Sequence, residues 1–214
     1  MNVRTIETLT HGRYLVEAAE HSRATLVGFH GYQENASIHL EVLRQIAAGR
    51  QVTLVSVQGL HRFYTRANDV IASWMTKEDR DLAIQDNVTY VGRVLSALAA
   101  EEALARPLIY VGFSQGVAMA YRAATHVPRA CDGVIALAGD VPPDVAPLAR
   151  SLPRVLIGRG ADDKWYTADK AASDLAVLGN AGVSVTEHVF DGGHVWAPAF
   201  VARAGGFVDE LLAS

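Results

Sequence analysis

Cysteine is almost absent from this sequence of 214 residues, since Cys131 is its single occurrence. One thiol cannot form an internal disulfide, which is typical of proteins from a reducing compartment. Residues 1–7 contain no apolar stretch of the kind that a secretory signal peptide needs. Nowhere do about 18 apolar residues follow one another, the length expected of a membrane span. These absences predict a cytoplasmic protein that makes no stable insertion into a membrane.

A surplus of basic residues is absent as well. The chain has 19 Lys and Arg residues against 23 Asp and Glu residues, which gives a formal net charge of -4. This balance gives no reason to expect nucleic acid or an anionic membrane surface as a partner. No internal repeat, low-complexity tract or linker divides the chain. Its composition, 50% hydrophobic and 20% charged, is that of an ordinary globular protein, and we predict a single domain over residues 1–214.

Short apolar runs that alternate with helical segments are what the sequence does contain. The runs are rich in Val, Ile and Leu and lie at 24–29, 52–57, 108–113, 134–138, 154–158 and 184–190. The segments with helical character lie at 38–48, 88–104, 116–125 and 168–178. Such a pattern predicts an α/β fold with a mostly parallel central sheet and helices on both faces. An antiparallel hairpin is expected first, with strands at 5–9 and 13–18.

One predicted strand runs directly into the sequence Gly112-Phe113-Ser114-Gln115-Gly116, and a helical segment follows. This G-x-S-x-G pattern is typical of a nucleophile elbow, a turn so sharp that the serine adopts strained backbone angles and its neighbours must be small. We therefore predict that Ser114 is a nucleophile and that the backbone N–H of Gln115 faces the developing oxyanion. The alternative is that Ser114 merely caps a helix.

His194 has the position expected of a general base. It ends the sequence Asp191-Gly192-Gly193-His194 just past the last predicted strand, and catalytic groups of a parallel sheet collect in the loops past the carboxyl ends of the strands. It also comes after the serine in the chain, as this architecture requires. His188 lies within the preceding strand, where we expect a structural role. Five further histidines are expected to be solvated: His11, His21, His39, His61 and His126.

The carboxylate that orients the base should follow the penultimate strand. Asp162 and Asp163 stand side by side there, and either could orient His194 and stabilise the imidazolium ion. The other aspartate would cap the next helix or form an exposed ion pair. Asp140 is a third candidate but comes one strand too early. The residues alone leave the choice between Asp162 and Asp163 open.

The loop after the strand that ends at Phe29 begins with His30-Gly31-Tyr32. A His-Gly step at this place is the usual source of the second oxyanion donor, so we expect the backbone N–H of Tyr32 to be that donor. Gly31 would let the loop approach the substrate. His30 is expected to form hydrogen bonds with the loop backbone, and a second base is not expected.

Aromatic and basic residues are concentrated in the segment 60–76, which follows a strand and is expected to be a loop. Loops at this edge of a sheet can form the wall of an acyl pocket. Further aromatic residues lie next to the predicted acid and base. The expected pocket residues are Phe63, Trp74, Met75, Trp165 and Trp196.

With these motifs in place, the chain resembles the phospholipase/carboxylesterase family of α/β-hydrolases over nearly its whole length. The matching parts are the segment 30–35, the Gly-Phe-Ser-Gln-Gly elbow, Asp163 and the Gly193-His194 pair. The resemblance implies an α/β-hydrolase fold with little or no cap domain, no cofactor, and hydrolysis of carboxylic ester or thioester bonds. We expect no metal site.

The resemblance also bears on the choice of the acid. In the family it typically stands in a His-Gly-x-x-Asp stretch, and aligning Gly160 with that glycine selects Asp163, although Arg159 stands where the histidine would be. The segment 60–75 is unlike the family's usual loop. The resemblance therefore implies nothing about substrate preference.

The leading hypothesis is a serine hydrolase that cleaves small or medium carboxylic esters through an acyl-enzyme on Ser114. His194 would be its general base and Asp163 the orienting acid. Alternatives with the same residues are an acyl-thioesterase, a lysophospholipase or a peptidase, and a dienelactone-hydrolase-like activity is less favoured because the elbow carries serine. A non-catalytic binding module on a hydrolase fold is the alternative from another class. A small ester or thioester is the expected partner, and a homodimer is left open.

Overall fold

A computed structural model describes residues 2–101 and 103–214 of the chain. Its strands are β1 (Arg13–Glu17), β2 (Thr25–Phe29), β3 (Thr53–Gln58), β4 (His61–Tyr64), β5 (Val70–Ser73), β6 (Leu108–Phe113), β7 (Gly133–Leu137), β8 (Arg154–Gly160) and β9 (Val185–Phe190). Its helices are α1 (Ala36–Ala47), α2 (Arg80–Ala100), α3 (Gln115–His126), α4 (Ala168–Asn180) and α5 (Pro198–Leu212). A short 3-10 helix spans Ala146–Ser151.

Within the described residues, seven strands form one sheet in the order β1-β3-β2-β6-β7-β8-β9. β1 pairs with β3 in the antiparallel direction, and every other pair in this sheet is parallel. All residues of β2, β3, β6 and β7 are buried, which explains why these strands are rich in Val, Leu and Ile in the sequence. The predicted mostly parallel sheet is thus confirmed.

The helices cover both faces of this sheet. Gly28 in β2 packs against His39 of α1, and Gly112 in β6 packs against Val117 of α3. Gly28 is level with Val111, and successive side chains of a strand point to opposite faces, so Gly28 and Gly112 face opposite sides. α1 contacts α5 on one face, and α2 contacts α3 on the other. Small residues in the central strands let the helices approach closely on each side.

The predicted N-terminal hairpin is wrong. Residues 5–9 form no strand and are exposed, whereas β1 pairs with β3, with Arg13 opposite Gln58. The side chains of residues 5–9 are exposed, so pairing with this segment would bury little apolar surface. β3 offers a buried sheet edge instead, so tertiary packing overrides the local turn signal at Gly12.

The segment 60–76 is also more ordered than a loop. β4 and β5 form an antiparallel hairpin outside the main sheet, with Arg62 opposite Ala72. A bridge between Glu34 and Ala72 joins this hairpin to the loop after β2. The hairpin therefore lies beside the carboxyl ends of the strands.

The predicted helical segment 88–104 corresponds to α2, which begins at Arg80. Glu102, at the end of that predicted segment, lies outside the described residues. Among the helices of residues 2–101 and 103–214, none combines the length and the hydropathy that crossing a membrane would require.

Candidate active site

Ser114 lies at the turn between β6 and α3 and has a strained backbone. Its φ of 52° and ψ of -117° are unusual for a residue with a side chain. The Ser114 N–H donates to the carbonyl of Leu137 in β7 (2.9 Å), and the carbonyl of Ser114 accepts from the Val117 N–H (3.1 Å). Backbone hydrogen bonds from a neighbouring strand and from the helix thus hold this conformation.

The flanking glycines are required by close contacts. A Cβ atom at Gly112 would lie 2.6 Å from the Cα of Val117, and one at Gly116 would lie 2.0 Å from the carbonyl oxygen of Phe29. Both neighbours are backbone atoms, which cannot move aside without moving the sheet or the helix. The turn can therefore form with glycine at both positions and not with larger residues.

His194 is hydrogen-bonded on both sides of its ring. Its Nε2 lies 2.8 Å from the Oγ of Ser114, and its Nδ1 lies 2.9 Å from Oδ2 of Asp163. The ring centroid of Phe113 is 5.1 Å away, so the imidazole has an aromatic support. A carboxylate on Nδ1 favours the tautomer in which Nε2 is free to accept the serine proton.

Asp163 follows β8 and is fully buried. Its Oδ1 accepts the N–H groups of Trp165 (2.8 Å) and Tyr166 (2.9 Å), while Oδ2 faces His194. These bonds fix the carboxylate against the imidazole. Asp162 is exposed, and its N–H donates to the carbonyl of Gly192 (2.9 Å), which ties the acid loop to the histidine loop. Of the two aspartates, the structure therefore brings Asp163 to His194.

Asp140, the third candidate acid, lies apart from His194. It is exposed and pairs with Lys170 at 3.2 Å.

Asp174 of α4 is a buried carboxylate near the site. Its Oδ2 accepts hydrogen bonds from the hydroxyl of Tyr166 (3.0 Å) and from the N–H of Val141 (3.0 Å). Burial raises the pKa of Asp174 to about 6. This carboxylate joins the loop after β7 to the loop after β8.

The two expected oxyanion donors are the backbone N–H groups of Tyr32 and Gln115. Within the described part of the chain, neither N–H donates to a protein acceptor. The loop that carries Tyr32 is well held, since the Gly31 N–H donates to Oε2 of Glu34 (2.7 Å) and the Gln33 N–H donates to the carbonyl of Ala72 (3.2 Å). Burial raises the pKa of Glu34.

His30 is structural, as the sequence predicts. The Gly59 N–H donates to its Nε2 (2.9 Å), so the ring proton is on Nδ1, which donates to the carbonyl of Gly31 (2.7 Å). Burial lowers the pKa of His30 to about 4. Its own carbonyl accepts the indole N–H of Trp74 (2.9 Å). A buried neutral histidine thus connects the loops after β2 and β3.

The side chain of Gln115 forms contacts that the motif alone does not indicate. Its Oε1 accepts the N–H of Trp74 (2.9 Å), and its Nε2 donates to the carbonyl of Met75 (2.9 Å). Asn87 of α2 donates to the carbonyl of Trp74 (2.7 Å). The residue after the serine therefore holds the chain that follows β5.

A cavity of about 340 Å³ lies over the serine and the histidine. We call it the Ser114 groove; its lining includes Met75, Ala118, Arg122, Trp165, Tyr166 and His194. Arg122 donates from Nε and Nη2 to the carboxylate of Asp144, each at 2.8 Å. These hydrogen bonds lower the pKa of Asp144.

Three of the expected pocket residues do not line the Ser114 groove. Trp74 is completely buried in the core, where its indole N–H donates to a backbone carbonyl. Trp196 packs between Phe113 and Phe200, with ring centroids at 5.7 and 5.8 Å. Phe63 lies in the hairpin against the ring of Tyr32, at 5.9 Å. Their positions depend on packing that the sequence does not reveal.

His39 was expected to be solvated, and this is wrong. It is completely buried in α1, 5.9 Å from the ring of Trp196, and burial lowers its pKa to about 3. Within residues 2–101 and 103–214, no cluster of three or more His, Cys, Asp or Glu side chains is arranged to hold a metal ion.

A mostly parallel sheet with helices on both faces and a strained serine between a central strand and a helix defines an α/β-hydrolase. Residues 11–166 match the model of the Phospholipase/Carboxylesterase family, and the chain belongs to this family. His194 lies beyond the matched region, so its place at the site comes from the fold.

Solved structures agree in fold. Esterase PE8 is 24% identical with a TM-score of 0.73, over 94% of this chain and 98% of that one. The Bacillus cereus carboxylesterase is 19% identical with a TM-score of 0.72, over 94% of each chain. Acyl-protein thioesterase 2 of Zea mays is 19% identical with a TM-score of 0.73, over 94% of this chain and 100% of that one. Among curated proteins, none matches the sequence.

Proposed function

We propose that the protein is a serine hydrolase that cleaves small or medium carboxylic esters through an acyl-enzyme. The observation that carries this proposal is the unbroken hydrogen-bond chain from Ser114 Oγ to His194 Nε2 (2.8 Å) and from His194 Nδ1 to Asp163 Oδ2 (2.9 Å). It is supported by membership in the family, whose description names carboxylesterases.

In the first half of the reaction, His194 Nε2 accepts the hydroxyl proton while Ser114 Oγ bonds to the ester carbonyl carbon. The carbonyl oxygen gains the charge and is stabilised by the N–H groups of Tyr32 and Gln115. The intermediate then collapses, the bond to the alcohol oxygen breaks, and the alcohol leaves with the proton from Nε2. Asp163 stabilises the imidazolium ion throughout.

The second half regenerates the serine. A water molecule gives a proton to Nε2 of His194 and attacks the acyl carbon. The same two N–H groups stabilise the second oxyanion. The carboxylic acid departs when Oγ of Ser114 takes the proton back. No redox partner is needed for this cycle.

A thioester would react at the same atoms, so the triad does not separate an esterase from an acyl-thioesterase. The volume of the Ser114 groove, about 340 Å³, favours a small or medium acyl group over a lysophospholipid because it is near the lower end of ligand pockets. A non-catalytic binding module is less well supported. Backbone strain such as that at Ser114 costs on the order of 1–3 kcal/mol, and binding alone does not require it.

A fluorophosphonate probe tests the proposal directly. An activated serine attacks such an electrophile, so intact-mass spectrometry should show one adduct that is lost in Ser114→Ala. Ser96→Ala is the matched control, since Ser96 is an exposed serine of α2, and it should be labelled like the wild type. An adduct that persists in Ser114→Ala would contradict the assignment. A chain-length series of p-nitrophenyl esters, run beside a thioester, then defines the preference.

A further inference from the structure

Three cationic side chains lie around the Ser114 groove, and two of them pair closely with aspartates. Arg80 of α2, Arg122 of α3 and Lys170 of α4 line it, whereas Asp140 is the carboxylate in its lining and pairs with Lys170 at 3.2 Å. Arg122 pairs with Asp144 at 2.8 Å, so Arg80, whose contact with Asp81 is 3.9 Å long, is the least neutralised cation of the three. An incompletely neutralised cation at a groove attracts ligands of negative charge.

Arg122 contributes N–H groups that have no strong acceptor. Its side chain is completely buried, and Nε and Nη2 are occupied by Asp144 at 2.8 Å. The partner of Nη1 is the Sδ of Met75 at 4.0 Å, and a thioether sulfur is a weak acceptor. A buried guanidinium is stabilised when such N–H groups donate to a charged oxygen. A ligand carboxylate that displaces the Met75 side chain would be such an acceptor.

The spacing along α3 relates this guanidinium to the nucleophile. Ser114, Ala118 and Arg122 are four residues apart and all line the Ser114 groove, so they share one face of the helix. Eight residues of helix span about 12 Å. The small side chain of Ala118 leaves the space between Ser114 and Arg122 open for a short acyl chain.

Arg80 adds a second charge that is weakly neutralised. Its side chain is 46% exposed, and its contact with Asp81 is 3.9 Å long with an aspartate that is 97% exposed. Exposed ion pairs of this kind contribute little. Arg80 can therefore turn toward an anion in the Ser114 groove.

We propose that the preferred substrate is a half-ester of a short dicarboxylic acid, whose free carboxylate is bound by Arg122 and Arg80 while Ser114 attacks the ester. This inference rests on the proposed function, since it names the substrate class of the same groove. The carboxylate takes the Nη1 donors of Arg122 and displaces the Met75 thioether.

The test compares monomethyl adipate with dimethyl adipate, two esters of equal length that differ in one negative charge. The ratio of their kcat/KM values should favour the half-ester by about tenfold or more, as expected for a hydrogen bond to a charged group. Raising the salt concentration should reduce this ratio. The ratio cancels general effects of a variant on catalysis.

Variants localise the effect. Arg80→Gln should lower the ratio several-fold, whereas Arg129→Gln, which removes an exposed arginine away from the Ser114 groove, should leave it unchanged. Met75→Ala should raise the ratio, because it uncovers Nη1 of Arg122. A ratio near one in the wild type that neither Arg80→Gln nor Met75→Ala changes would overturn the inference. Arg122 would then have only a structural role, in its ion pair with Asp144.

Binding separates this inference from the proposed function. Calorimetry with Ser114→Ala should detect monomethyl adipate and a much weaker interaction with the diester. Binding of the half-ester without turnover by the wild type would support the anion site and refute the proposed hydrolase. Hydrolysis of both esters at similar rates would refute the anion site and support the hydrolase.

Discussion

At the scale of single residues, the conformation of Ser114 depends on Gly112 and Gly116, which have no side chain. The serine has a φ of 52°, and helix, strand and loop meet within a few ångströms of it. Gly116 lies directly under the carbonyl groups of Phe29 and His30. Any side chain there pushes the helix away from the loop that carries the second oxyanion donor.

We expect Gly116→Ala to abolish most activity and to lower the free energy of unfolding by about 2–4 kcal/mol, because its Cβ would collide with backbone. Urea denaturation and kcat measure the two effects. Gly179→Ala in α4 is the matched control, since a Cβ there meets nothing within 4 Å. That control should stabilise the protein by up to about 1 kcal/mol, as alanine does inside a helix. Equal stability of both variants would contradict the steric argument.

The adjacent aspartates give a second prediction at this scale. Asp163→Asn should keep the fold but favour the wrong tautomer of His194, a change that costs about 10⁴ in kcat in the well-studied serine proteases. Asp162→Asn should cost about tenfold at most, because the side chain of Asp162 is exposed and its contribution to the loop comes from its backbone N–H. Measuring kcat for both variants decides between them, and a large loss in Asp162→Asn alone would reverse the assignment.

Single residues differ in how far the sequence predicts them. The meeting of Ser114 and His194 was predictable because each comes within a few residues of the end of a strand with a clear apolar run, and strand ends of a parallel sheet converge. The choice of Asp163 over Asp162 needed the family resemblance as well. The burial of Trp74 was not predictable, because whether a tryptophan lies in the core or lines a pocket depends on where its indole N–H finds an acceptor. The same holds for Arg122, whose partner Asp144 comes from another loop.

At the scale of elements, the β4–β5 hairpin is held to the site by hydrogen bonds from the loop after β2 and from the start of α3. Gln115 contributes two side-chain hydrogen bonds to the chain after β5, and the Glu34–Ala72 bridge contributes backbone pairing. The hairpin contributes no strand to the main sheet. Gln115 therefore contributes to the position of the hairpin relative to Met75 and the Ser114 groove, beside Asn87, which donates to the carbonyl of Trp74.

We expect Gln115→Met to loosen this hairpin, because methionine has a similar shape but its thioether is a weak acceptor for the Trp74 N–H and has no donor for the Met75 carbonyl. An unsatisfied buried group costs about 1–3 kcal/mol, so amide hydrogen exchange at Trp74 should become roughly tenfold or more faster. The backbone N–H of residue 115 remains, and kcat should fall less than in Asp163→Asn. Unchanged exchange at Trp74 would show that other contacts hold the hairpin.

Elements were predictable where local pattern and burial agree. β6 has the predicted bounds because all six of its residues are apolar or small and buried. The hairpin in segment 60–76 was missed although its turn has a signal, since Asn68 has a φ of 68°, which asparagine tolerates. The prediction of a strand at 5–9 was wrong because β1 pairs with β3, and this pairing depends on the tertiary structure of the sheet and not on the local sequence.

At the scale of the whole molecule, buried histidines make stability depend on pH. The pKa of His30 is lowered to about 4 and that of His39 to about 3 by burial, while both would be near 6.5 in the unfolded chain. The neighbouring His30 also lowers the pKa of His39, and the backbone of Val111 raises it against the larger effect of burial. Below pH 6.5 the unfolded chain binds more protons at these sites, so their stabilisation is lost as the pH falls. Asp174, with a raised pKa, opposes this trend.

His39→Leu isolates one of these contributions. The difference in unfolding free energy between this variant and the wild type should shift in favour of the variant by about 2 kcal/mol between pH 7 and pH 5. Urea denaturation at both pH values measures it. The exposed His21 provides the control, since His21→Leu should follow the wild type at both values. An equal offset at both pH values would mean that His39 does not titrate in this way.

Three expectations about the molecule as a whole stay predictions. They are the single domain over residues 1–214, the cytoplasmic location and the homodimer. Composition and the absence of particular segments suggested the first two, and neither the sheet nor the Ser114 groove depends on them. The pattern of strands and helices predicted the architecture, because burial of parallel strands on both faces leaves a strong periodic signal.

The position of β9 at one edge of the sheet has a consequence for synthesis. β9 pairs with β8, and the loop that follows it carries His194, whereas Ser114 and Asp163 follow strands that are made earlier. A chain emerging from the ribosome therefore presents the proposed nucleophile and acid before the proposed base has been translated. Under the proposed mechanism, such a nascent chain lacks its general base until the residues after the last strand have been added.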